Sequence, residues 1–111
     1  MYQFPRAEMQ TAAGARHRQL LSRSIDMLLA AVMIGRDSLE AAEALHFTSR
    51  VWTAFVEDLR SGDSALPREL RANLISIGLW LLRETEDIRQ GRTDNFEGLI
   101  EVAEIVRDGM Q

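Results

Sequence analysis

Cysteine is absent from this chain, and with it go disulfide scaffolds, thiolate nucleophiles and sulfur-ligated metal centres. Stability has to come from packing. Lysine is absent as well: all 13 basic residues are arginine, spread from Arg6 to Arg107 among 17 acidic residues, for a formal net charge of −4. A phosphate backbone would meet a like-charged body with no basic cluster, so direct nucleic-acid binding is disfavoured. No apolar run approaches the ~18 residues of a membrane span, which argues against membrane insertion. The opening Met-Tyr-Gln-Phe-Pro-Arg lacks the basic, then apolar, then small-residue order of a secretory signal. A cytoplasmic protein is expected.

At 111 residues the chain is the length of one domain, able to bury roughly 65% of its unfolded surface around one core. The hydrophobic share of 46% and charged share of 27% are those of an ordinary globular protein. Apolar positions recur at helical spacing almost throughout, and no segment alternates as a strand would. The fold class is all-α. A first helix is predicted from about Arg16 to Ile34, with Leu21, Ile25, Leu28 and Val32 on one face, ending at Gly35. A second opens at Asp37-Ser-Leu-Glu40, which has the form of a capping box, and closes before Gly62. Pro67 begins the third at the position where its missing N–H costs nothing. That helix runs through Ile88 to Gly91, and Asp94-Asn-Phe-Glu97 starts a fourth with Phe96, Leu99, Ala103 and Val106 on one face. Short linkers favour antiparallel neighbours, giving a small antiparallel bundle of about four helices. Residues 1–15 are expected to form an amino-terminal arm or helix extension, with Tyr2 and Phe4 beside Pro5; residues 16–111 form the bundle domain.

The sharpest chemical motif is Glu43-Ala-Leu-His46, because Glu-x-x-His on a helix is half the ligand set of a di-iron carboxylate bundle. Its second half is missing, since His17 has Gly14 three residues before it. No metal or other cofactor is expected, and His46 reads as a surface or helix-boundary residue. There is no Gly-rich phosphate loop and no Ser-His-Asp set in a recognisable context, so no catalytic residues are nominated and an enzyme is not expected. The acidic pairs Glu57-Asp58 and Glu86-Asp87 lie beside arginines on polar helix faces. Glu57 with Arg60 and Arg83 with Asp87 have the spacing of intrahelical ion pairs, worth roughly 0.2–0.5 kcal/mol each.

The third helix is apolar on too many faces for a single stripe. In Leu79-Trp-Leu-Leu82 four consecutive side chains cannot point one way at 100° per residue, so at least one is expected to face a second partner. Gly78, in mid-helix at about 1 kcal/mol relative to Ala, marks close approach of another helix or an indole. Arg71, Asn73 and Ser76 either bond a peptide or mark the solvent side; spacing does not separate the two.

Four stretches together carry a family resemblance: Met1-Tyr-Gln-Phe4, Glu43-Ala-Leu-His-Phe-Thr-Ser-Arg-Val-Trp52, the run from Leu66 to Trp80, and Asn95-Phe-Glu-Gly-Leu-Ile100. Over nearly its whole length the chain resembles FlaF, a flagellar biosynthesis regulator family of alphaproteobacteria. The resemblance implies a small helical cytoplasmic protein that promotes flagellin synthesis and export, opposite the translational repressor FlbT. One mechanism is a secretion chaperone that binds flagellin, whose terminal segments order into amphipathic helices. The other is antagonism of FlbT by protein–protein contact. Under either, the expected protein-binding residues are Trp52 and Phe55 of the second helix and Leu70, Arg71, Asn73, Leu74, Ile77 and Trp80 of the third. Self-association through an exposed apolar stripe is equally open.

Overall fold

A computed structural model describes residues 12–61 and 66–110, with side chains from Gly14 onward. The arm residues Tyr2, Phe4 and Pro5, and Gly62 as a helix terminator, lie outside the described residues. Within them are four helices: α1 (Ala12–Ile34), α2 (Leu39–Arg60), α3 (Arg68–Arg89) and α4 (Phe96–Gly109). α1 begins four residues before Arg16, so the Ala-rich stretch is helical and Gly14 lies inside the helix, buried.

Apolar side chains three and four residues apart turn one face of each helix to a common core. α1 contributes Leu21, Ile25 and Leu28, and α2 contributes Trp52, Phe55 and Leu59. From α3 come Leu74, Leu81 and Ile88, and from α4 Phe96, Leu99 and Val106. Each such side chain stabilises the fold by roughly 1.5–3 kcal/mol on full burial. A buried hydroxyl pair in this core, Ser24 with Thr48 at 2.6 Å, satisfies itself across α1 and α2.

Cross-helix contacts fix the topology. Near the start of α1, His17 Nε2 lies 2.7 Å from Asp58 Oδ2 near the end of α2. Just past the end of α1, Arg36 donates to the Asp94 carbonyl at 2.7 Å and grips the Glu97 carboxylate at the start of α4. Successive helices are therefore antiparallel, and α1 runs antiparallel to α4. α1 packs on α2 and α4, α2 packs on α3, and α3 and α4 pack least against each other.

Both predicted capping boxes are displaced by one residue. Ser38, not Asp37, caps α2: its Oγ accepts the Ala41 N–H at 3.1 Å and donates to the Gly35 carbonyl at 2.6 Å. Asn95, not Asp94, caps α4 by accepting the Gly98 N–H at 3.1 Å. Pro67 likewise takes the cap position of α3 and Arg68 begins the helix. Local spacing reads a capping acceptor to within a residue; only the entry angle of the chain chooses between adjacent acceptors.

Gly91, at φ +77°, ends α3. Its N–H bonds the Ile88 carbonyl and the Arg92 N–H bonds the Asp87 carbonyl, the paired bonds of a Schellman turn. That turn folds Arg92 back onto Asp87, with Nε 3.0 Å from Oδ1. Asp87 is thus paired with Arg92 in place of the predicted Arg83, and Glu86 with Arg89 at 3.0 Å. No ion pair joins Glu57 to Arg60 among the described residues.

Candidate functional site

The aromatic signal of α2 points inward. Trp52 has no exposed surface and Phe55 only 3%, with their rings edge-on at 5.6 Å between centroids. Gly78 makes this possible. A Cβ there would collide with Val56 Cγ2 and stand 3.4 Å from Trp52 Cε3, so the glycine admits both side chains against the α3 backbone. The close approach predicted for Gly78 is present, and its consequence is that Trp52 serves the core.

Leu74 also has no exposed surface. Trp52, Phe55 and Leu74 therefore offer nothing to a partner of the folded bundle, because each lies on the one face of its helix that all neighbours share. Arg71 is half-buried and, through the spacing 71, 75, 78, shares the flank of α3 that Gly78 turns toward α2.

The remaining four fall on one line. Leu70, Asn73, Ile77 and Trp80 are separated by three, four and three residues, which stacks them along the other flank of α3, and Glu84 continues the row. The Glu84 carboxylate accepts the Asn95 side-chain N–H at 2.6 Å, tying this flank to the start of α4. On α4 the matching row is Asn95, Gly98, Val102, Ile105 and Gly109. The antiparallel rows leave the Glu84–Asn95 bond as the two banks of the α3–α4 seam, the most sparsely packed seam of the bundle.

Asn95 is fully committed at that junction, its oxygen to the α4 cap and its amide to Glu84. Any Cβ at position 98 would strike the Asn95 side chain, so Gly98 is what lets the cap close. Beyond the junction the rows are mainly apolar: Trp80 is 38% and Ile105 51% exposed, Ile77 and Val102 are half-buried, and Asn73 is an exposed polar member. Sequence reasoning passed over Val102 and Ile105 because Phe96, Leu99, Ala103 and Val106 already complete a core face. The usable signal was an isoleucine three residues after Val102 and outside that face.

The seam thus combines partly exposed apolar side chains with a hydrogen-bonded polar end. Glu43 and His46 are both exposed, and among the described residues no group of three or more His, Asp or Glu is placed to hold a metal ion. No helix among them is long and apolar enough to cross a membrane. Compared with known proteins, residues 2–110 match the family model described as flagellar protein FlaF. No curated protein and no solved structure matches the chain.

Proposed function

The chain belongs to the FlaF family of flagellar proteins, and from that premise we propose that it acts in the cytoplasm as a non-enzymatic regulator, binding flagellin as a secretion chaperone. The supporting observation is the open α3–α4 seam, where Trp80 and Ile105 expose apolar surface next to a hydrogen-bonded polar end. A flagellin terminal segment that orders into an amphipathic helix would bury its apolar stripe there, read at i, i+3 or i+4, and i+7. Covering that stripe delays polymerisation and keeps the chain competent for export.

Trp80 is the residue whose loss should matter most, since tryptophans at interface centres commonly contribute 2 kcal/mol or more to binding. Calorimetric titration of flagellin into wild type and Trp80→Ala tests this, with circular dichroism to check that the helices remain. The expected result is roughly thirtyfold weaker binding by the variant, the equivalent of about 2 kcal/mol. Equal affinity of the two would remove the seam from the mechanism. A parallel titration with FlbT that gives binding where flagellin gives none would make the protein an antagonist of that repressor instead.

A further inference from the structure

On the other flank of α4 a second groove runs against the end of α1. Leu29, Val32, Met33 and Ile100 floor a hollow of about 290 Å³. Met33 is 86% exposed, the most exposed large apolar side chain among the described residues. Ile34 and Leu39, on either side of the α1–α2 turn, are also exposed, at 59% and 71%.

The rim is acidic. Glu97, Glu101 and Glu104 line one bank, and Asp26 lies one turn before Leu29 on the α1 side, exposed. Arg36 neutralises Glu97. Glu101, Glu104 and Asp26 form no ion pair among the described residues. Arg18, Arg107 and Asp108 line a separate polar hollow at the far end of the same seam, where Arg107 pairs with Asp108, and the acidic rim lies in the half nearest the turn.

We propose that this α1–α4 groove is a second docking surface, and that its occupant is a basic amphipathic helix of another protein. The apolar floor supplies the contact area and the free carboxylates select a cationic border on the partner. Methionine at the most exposed position suits such a surface, because its unbranched thioether adapts to different side chains. A second copy of this chain is the poorer occupant: a twofold contact would set Glu101 and Glu104 against the same patch of the mate, and like charges brought together oppose association.

The test uses a synthetic amphipathic helix of leucine and lysine, and a twin with glutamate for lysine and the same apolar stripe, each followed by fluorescence anisotropy. The lysine peptide should bind and the glutamate twin should not, with affinity falling as salt rises. Reversing two rim charges (Glu101→Lys with Glu104→Lys) should weaken binding about tenfold or more. Met33→Ser, at a solvent-facing position that cannot disturb the core, should also weaken it, whereas the same charge reversal at Glu43, exposed on α2 and outside the groove lining, should leave it nearly unchanged. The proposal is overturned if the charge reversal has no effect, or if the glutamate twin binds equally. It is equally overturned if Glu43→Lys weakens binding as much as the rim reversal does, or if size exclusion shows a dimer that the rim reversal dissociates. Flagellin takes no part in these measurements, so their failure is separable from that of the chaperone reading.

Discussion

A single missing methyl group at Gly78 sets the distance between α2 and α3. Alanine there would gain about 1 kcal/mol in helix propensity, but its Cβ would occupy the place of Val56 Cγ2. Valine is stiff about χ1 and cannot swing aside cheaply. Overpacking costs typically 1–3 kcal/mol, so Gly78→Ala should lower stability in urea unfolding by about 1–2 kcal/mol net. Adding Val56→Ala should recover part of that loss, with a coupling of roughly 0.5–3 kcal/mol in a double-mutant cycle. Glu97 gives a second residue-scale outcome. The hydrogen bond from Arg36 holds its carboxyl at about 2, below its ordinary 4.5, helped by a backbone N–H at the helix start. A depressed carboxylate stabilises the fold above the unfolded-state value and loses that effect as pH falls through the folded-state value. Urea midpoints of wild type and Glu97→Gln should therefore differ above about pH 4.5 and converge as the pH approaches about 2.

At the scale of the element, the helices are defined by their ends as much as by their faces. Ser38 both caps α2 and bonds back to Gly35, so Ser38→Ala removes two hydrogen bonds at one turn. Loss of the cap should cost about 1 kcal/mol, while Asp37→Ala, one residue earlier and exposed, should change the unfolding midpoint little. Equal effects from the two would return the cap to Asp37. The existence and type of each helix among the described residues were legible in the spacing of apolar residues, because amphipathic periodicity is a local property. The capping residue was legible only to within one position. Asp37 and Ser38 are both competent acceptors, and Gly35, at φ +150°, sets the turn that aims Ser38 at the Ala41 N–H.

Across the whole molecule, the row of apolar residues on α3 divides into two populations with different duties. Leu74 is enclosed, and Leu74→Ala should cost about 2–5 kcal/mol through the cavity it leaves. Trp80 stands on the seam at 38% exposure, and Trp80→Ala should cost less than Leu74→Ala, since more than a third of its surface already meets water. Urea unfolding of the two variants separates them: comparable losses would mean that the seam is closed. Nothing in the spacing of α3 distinguishes Leu74 from Trp80, because α3 is apolar on several flanks and a helical repeat does not say which flanks have neighbours. The four-residue row of Leu70, Asn73, Ile77 and Trp80 was present in the sequence, but mixed with Arg71 and Leu74 from adjacent rows.

The sequence by itself determined an all-helical chain, the order of its helices, the antiparallel preference of short connections and the need for a close neighbour at Gly78. Each follows from interactions within a few residues or from one side chain's volume. Only the tertiary structure decided that Trp52 and Phe55 are core, that α3 and α4 pack least against each other, and that carboxylates border a second groove beside α1. Those outcomes depend on which helix flank is covered, and coverage is set by segments distant in sequence whose packing optimises the shared core before any one helix's surface.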